Sequence, residues 1–244
     1  MTPAVPLPHS LLTLSAEVGD LMDHTPESAY AHLRDTRPAW FSSPPGEGAI
    51  GIMRWPMTEG QVLHRDEERV VLEDPVVLPD GQQARRLRLI AARPEPPVAV
   101  LPLLDGQVVL VDRFRHAART WQWEILKGAG AEGVPDAQNA VDQVHDQLGA
   151  SAREVIGLGH AHPDPSVLAE AVMLYAARID AVGELAHGVG IRQVRTVAFA
   201  EAEQMALTGR ITDAVTITVL FRARQAGLGE ENPAVRRGHR GATG

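Results

Sequence analysis

The chain has 244 residues, of which 44% are hydrophobic, and carries a formal net charge of −8. An acidic balance with scattered arginines, apart from a short basic tail, argues against a nucleic-acid footprint. The absence of cysteine excludes a disulfide framework and thiolate chemistry, and fits a reducing cytoplasm. The opening MTPAVPLPHSLLTLSAEV has no basic n-region and only a short, broken apolar run, so neither a signal peptide nor a membrane span is expected. The length suffices for a sizeable core, in one large domain or one domain with an appendage.

Residues 1–9 are rich in proline. From Ser10 the apolar positions Leu11, Leu14, Val18 and Leu21 recur at helical spacing and predict a short amphipathic helix. Thr25-Pro26-Glu27 reads as N-cap, first helical position and acidic first turn. A second helix is therefore expected to about Asp35, with Ala29, Tyr30 and Leu33 inward. Prolines, serines and glycines from Arg37 to Gly48 mark a linker or lid-like loop, with Trp40 and Phe41 as packing anchors. The period then changes. GAIGIMRW, QVLHRDEERVVLEDPVVLP and ARRLRLIAA are short β-rich runs, and Pro79-Asp80-Gly81 is the clearest turn among them.

After the break at Pro94-Glu95-Pro96-Pro97 comes VAVLPLLDGQVVLVDRFRHA. Two apolar runs around Asp105-Gly106 give the strongest hairpin signal in the chain, and the second run places Arg113 and Arg115 on one side of a strand. A guanidinium fork suits a phosphate or a carboxylate; pairing with Glu124 is the other reading of both arginines. Trp121 and Trp123 flank Gln122 on the next strand, as a ring-stacking surface or as buried aromatics.

The stretch EILKGAGAEGVPDAQNAVDQVHDQLGA, Glu124 to Ala150, reads as strand end, glycine-rich loop, helix and glycine stop. Pro135 and Asp136 suit a first helical turn, Ala137, Ala140, Val141, Val144 and Leu148 recur at helical spacing, and Gly149 is placed as a C-cap. Asp142, Gln143, His145, Asp146 and Gln147 share the opposite face. Beside a glycine loop, such a face suits the floor of a polyanion or metal site. Lys127 is the only lysine in the chain and immediately precedes Gly128. Further on, His160 and His162 fall in a predicted loop before Asp164-Pro165-Ser166 and Glu170. The last portion predicts a strand, a helix over Phe199–Leu207, a glycine turn, and a terminal helix capped by Thr212 or Asp213.

The layout from Gly128 to Gly149 resembles the signature box of the Nudix hydrolases: a glycine, a glutamate six positions later, R-E-x-x-E-E, one residue, and a closing glycine. The frame fits without insertion. GRITDAVTITVLFRA resembles the terminal helix of the ADP-ribose pyrophosphatase-like branch, which extends the likeness over about 170 residues from near Val62. The resemblance implies an α+β fold, an α/β/α Nudix sandwich with a mixed sheet between helices. Residues 46–95 would form an N-terminal β segment, 96–228 the Nudix domain, 1–45 a helical extension with linker, and 229–244 a disordered tail. It also implies a homodimer contact in the β segment.

The chemistry inside the frame departs from the family pattern. The early glutamate falls at Val134, the arginine at Asp142, and the three helix glutamates at Gln143, Asp146 and Gln147. In the family those glutamates hold divalent ions that neutralise a diphosphate and activate water, which requires hard anionic oxygens. Glutamine keeps the shape without the charge, so magnesium or manganese would be held weakly, by Asp142 and Asp146 with His145 as a further ligand. His160 and His162 with Asp142 or Asp146 make an alternative transition-metal set. Arg115 matches the family's phosphate-facing arginine, and Arg113 stands where a glutamine is commoner. Lys127 replaces a small residue whose carbonyl helps bind metal in the family; it could supply a cation or a reactive amine, or simply be a lysine that happens to fall there. Glu170 overlays the acid that serves as base or outer metal ligand in that branch.

The catalytic candidates are thus Lys127, Glu170 and Asp146, and the ligand-binding candidates are Arg113, Arg115, Trp123, Glu124 and Gly128. Three readings follow. The first is a protein that binds a nucleoside-diphosphate-linked or other small phosphorylated metabolite, with hydrolysis weakened, lost or redirected. The second is an active magnesium-dependent pyrophosphatase, and the third a non-enzymatic sensor or scaffold. None involves nucleic acid or a membrane.

Overall fold

The structure is a computed structural model, and it describes residues 24–42, 48–53, 60–92, 95–185 and 190–229. The expected helix from Ser10 and the tail beyond Gly229 lie outside the described residues. The chain divides into two compact units. One comprises Pro96–Ala161 with the described residues from Ala171 onward, and the other the described residues up to Glu95 with His162–Glu170.

In the second unit, helix α1 (Pro26–Thr36) is capped by Thr25, whose hydroxyl accepts the Ser28 amide, and has Pro26 in its first turn. Strands β1 (Gly51–Ile52), β2 (Gln61–Arg65), β3 (Arg69–Val77) and β4 (Gln83–Ala91) form an antiparallel sheet in which β3 is central. Val70, Val71 and Leu72 and then Val76 and Val77 belong to one nine-residue strand, and the predicted turn at Pro79-Asp80-Gly81 follows it. Ala29, Tyr30 and Leu33 of α1 pack on Val62, Val70, Leu72 and Ile90. Asp74 faces the same core. It is 1% exposed, accepts the Tyr30 hydroxyl at 2.6 Å and is forked by Arg88. Burial and this carboxylate push the Tyr30 phenol well above its usual range. The segment His162–Glu170 joins this unit at β4: the Leu89 amide donates to the Val167 carbonyl at 2.7 Å and the Ala169 amide to the Leu89 carbonyl at 3.0 Å.

The first unit is built on a seven-stranded mixed sheet containing β5 (Val98–Leu104), β6 (Gln107–Arg115), β7 (Thr120–Glu124), β8 (Leu126–Gly128), β9 (Ala152–Ala161), β10 (Val172–Ile179) and β11 (Ile191–Val197). The main path runs β11-β6-β5-β10-β9, with β10 parallel to β5 and the other pairs antiparallel. Asp105 and Gly106 both adopt positive φ, 51° and 81°, the backbone that a two-residue hairpin between right-twisted strands requires.

Side chains of β5 alternate between two cores. Val98 and Val100 face helix α2 (Asp136–Leu148), while Ala99, Leu101 and Leu103 face helices α3 (Phe199–Leu207) and α4 (Ala214–Gln225). Helices therefore cover both faces, and the central strands read as continuous apolar runs for that reason. Each fully buried valine or leucine stabilises the sandwich by roughly 1.5–3 kcal/mol.

One detail of the sheet builds the site. Strands β5 and β6 stay paired only near their turn, at Leu103–Val108 and Leu104–Gln107, and then part. The gap is filled by the next segment of chain: away from the turn, β7 pairs with β6 over Val111–Arg115 and β8 with β5 over Val98–Val100. Glu124 lies at this fork, fully buried.

Candidate anion site at the strand fork

The pairing of β6 with β7 sets Arg113 opposite Gln122 and Arg115 opposite Thr120, so that both guanidiniums share the sheet face of Glu124. Arg115 forks the Glu124 carboxylate, its Nε donating to Oε2 at 2.9 Å and its Nη2 to Oε1 at 2.6 Å. Arg113 Nη1 stands 3.6 Å from Oε1, and Lys127 Nζ 3.2 Å from Oε2. Lys127 also donates to Asp213 Oδ1 at 2.6 Å. Three cations thus share two carboxylates, leaving one positive charge uncompensated in this cluster. Glu124 and Arg113 are buried, whereas the side chains of Arg115 and Lys127 retain 35% and 19% exposure, so the accessible edge is cationic.

The loop and helix that follow close over Arg113. Asn139, 2% exposed, pins the loop: the Ala131 amide donates to its Oδ1 at 3.0 Å, and its own amide donates to the Val134 carbonyl at 3.1 Å. Gly149 ends α2 in the left-handed region at φ 55°, as its position in the sequence implied. The helix is more deeply set than its pattern suggested. Ala140, Val144 and Leu148 are buried as expected, but so is Gln147, while Ala137 is exposed.

The predicted five-residue polar floor is therefore divided. Gln147 donates to the Lys127 carbonyl at 3.1 Å and to Gln143 Oε1 at 2.5 Å, and its own oxygen accepts from Arg113 Nη2. Arg113 Nη1 also donates to the Lys127 carbonyl, at 3.3 Å. Gly128 permits this arrangement, since a Cβ there would fall inside the Gln143 amide. Asp142 instead accepts the Gln138 amide at 2.8 Å, and His145 and Asp146 are exposed.

These residues do not suit a divalent ion. The Lys127 carbonyl and the Gln147 oxygen already accept from a guanidinium, the adjoining helix donor is a neutral amide, and the guanidinium would repel a second cation. No cluster of three or more His, Asp or Glu that could hold a metal occurs among the described residues. Burial pushes the Arg113 guanidinium down from its usual range, Glu124 pulls it back, and Arg115 adds to the fall. Its Nε is buried without an acceptor.

Lys127 reaches Asp213 because β8 pairs with β5 at Ala99, a position that faces α4. Asp213 is the N-cap of α4; its Oδ2 accepts the Thr216 amide at 2.8 Å and the Thr216 hydroxyl at 2.6 Å. That hydroxyl in turn accepts the Ile125 amide at 3.1 Å, tying the helix start to the fork. Burial alone would raise the Asp213 pKa, but the Lys127 ammonium and the cap hydrogen bonds outweigh it, and the net shift is downward. A depressed carboxylate pKa gives a stabilising contribution that is complete above the unfolded value and fades as pH falls through the folded one. The stability gap between the wild type and Asp213→Asn should stay constant from about pH 8 to 5 and close below roughly pH 3.9, as read from thermal melts.

Trp123 packs on the α3–α4 core, while Trp121 meets Phe114 edge-on at 5.5 Å and carries the Arg192 guanidinium 4.2 Å above its ring; the two tryptophans are not a stacked pair. His160 is on strand β9 rather than in a loop. Glu170 and His162 belong to the second unit, where the Glu170 carboxylate stands 3.8 Å from Arg69. Asn139, Asp213 and Thr216 were not singled out as site residues in the sequence. The cap signal at Asp213 was visible, but its second oxygen's role was not.

No helix among the described residues is long and apolar enough to cross a membrane. A scan against protein-family models finds no match, and a search of curated proteins finds none either. Among solved structures the chain is similar to the crystal structure of an ADP compounds hydrolase, with a TM-score of 0.57 and 17% sequence identity over 76% of this chain and 96% of that one. At that identity the likeness speaks for the fold: a mixed α+β architecture consistent with a Nudix-like sandwich.

Proposed function

We propose that the chain binds a nucleoside-diphosphate-linked or similar phosphorylated metabolite at the edge formed by Arg115 and Lys127. Its own side chains, rather than a divalent ion, supply the positive charge. Metal-dependent hydrolysis of a pyrophosphate is accordingly weakened, lost or redirected. The observation that carries this reading is the Arg113 guanidinium, held between the Lys127 carbonyl, Gln147 and Glu124. A fixed cation there does part of what a bound ion would do, which is to offset ligand charge, but it cannot activate a water molecule as a Lewis acid. Glu124 has no exposed surface and acts through its three cations. Lys127, held by two carboxylates, serves as a charge rather than as a nucleophile.

The similarity to an ADP compounds hydrolase favours a second reading, magnesium-dependent cleavage of such a compound. A panel of ADP-ribose, nucleotide sugars and coenzyme pyrophosphates, titrated by calorimetry in EDTA and in magnesium with cleavage scored separately, decides between them. The proposal expects binding of at least one ligand in EDTA, abolished by Arg115→Ala. Binding and cleavage that both require magnesium would establish the second reading instead.

A further inference from the structure

The bond between Lys127 and Asp213 is not needed by the partners of either residue. Glu124 is already forked by Arg115 and approached by Arg113, and its contact with Lys127, at 3.2 Å, is longer than either bond from Arg115. Asp213 caps α4 entirely through Oδ2, by way of the Thr216 amide and hydroxyl. Its other oxygen, Oδ1, holds the lysine at 2.6 Å. Asp213 is thus anchored by the helix, while Lys127 is a flexible stem whose ammonium has three donors, two of them engaged here. The pair also lies at the accessible edge of the cluster, with side-chain exposures of 19% and 14% against none for Glu124.

We infer that Asp213 is an affinity-setting residue: its carboxylate is a built-in competitor that occupies the outer face of Lys127 and must be exchanged for the phosphate group of an incoming ligand. This rests on the anion-binding reading above. Arg115 Nε and Lys127 Nζ approach the same atom, Glu124 Oε2, at 2.9 and 3.2 Å, so an anion lying against that shared edge meets both. Asp213 then opposes it through the lysine, by engaging the ammonium that the anion needs. The arrangement disfavours weakly charged anions and admits a phosphate group dense enough in charge to draw the lysine away.

The test uses the full chain and exploits Lys127 as the only lysine in it. Acylation of the Lys127 amine by an N-hydroxysuccinimide ester is followed peptide by peptide in a mass spectrometer, and inorganic pyrophosphate is the probe anion. Asp213→Asn and Asp213→Ser both retain a side-chain oxygen able to cap α4, so one serves if the other folds poorly. Either should accelerate acylation of Lys127 and tighten pyrophosphate binding by about tenfold, the equivalent of one charge-assisted hydrogen bond. Both effects should be traceable to the lysine, so in a Lys127→Met background the Asp213 substitution should leave pyrophosphate affinity unchanged. Equal acylation rates with and without the Asp213 carboxylate would overturn the inference, and so would a gain in affinity that persists without Lys127. Faster acylation with no pyrophosphate binding in any variant would instead strike at the anion-binding reading itself and take the competitor role with it.

Discussion

Glu124→Gln is expected to be among the most destabilising single substitutions in the chain, at about 3–5 kcal/mol, because it leaves buried positive charge without a counterion. Glu124 has no exposed surface and Arg113 only 5%. Glutamine preserves volume and one acceptor oxygen, so the loss isolates charge from packing. Arg115 and Lys127 can turn toward water, but Arg113 cannot, being enclosed by Gln147 and the Lys127 carbonyl. Its Nε already lacks an acceptor. Urea denaturation measures the effect. Asp142→Asn and Asp146→Asn, on the outer part of the same helix, are expected to change stability by less than about 0.5 kcal/mol and serve as controls. A Glu124→Gln loss as small as theirs would mean that the fork is not organised by that carboxylate.

The second large effect is a gain. In the triple variant Arg113→Gln, Gln143→Glu and Gln147→Glu, the guanidinium leaves the Lys127 carbonyl and two neutral amides become carboxylates. The new carboxylate at 147 then stands beside that carbonyl, and the one at 143 next to it over Gly128, a set of hard oxygens with the charge that a divalent ion requires. The variant should bind manganese with a saturable isotherm where the wild type shows none. Arg113→Gln alone should bind little manganese and should weaken phosphate ligands about tenfold or more in EDTA, through loss of one charge from the site. A triple variant that folds and still ignores manganese would show that the amides and the guanidinium are not what excludes the ion.

Local signals in the sequence marked most of the elements and the frame of the site. The left-handed residues Asp105, Gly106 and Gly149, the caps at Thr25 and Asp213, and the inward face Ala29, Tyr30 and Leu33 each follow from backbone or periodicity rules that act within a few residues. Other features depended on partners far along the chain. Gln147 reads as a solvent-facing polar residue until Arg113, 34 positions earlier, provides it with a buried partner. Lys127 and Asp213 are 86 positions apart and meet only because β8 places the lysine on the α4 side of the sheet. The division of α2's polar residues into an inner pair, half-buried Gln143 and buried Gln147, and an outer set was likewise hidden, since helical spacing places 143 and 147 close to 142 and 146 and only the fork decides which stripe is covered. The segment that carries Glu170 belongs to the second unit through long-range pairing at Leu89, which no local signal in the sequence marks.

The account turns on Arg113 holding the place of a metal ion, and the most direct measurement is a manganese titration of the wild-type chain followed by electron paramagnetic resonance. The account predicts that the free-ion signal persists undiminished as protein is added, both alone and with ADP-ribose present in slowly cleaved or uncleaved form. Loss of that signal into a stoichiometric bound species, accompanied by rapid manganese-dependent cleavage of ADP-ribose, would contradict it.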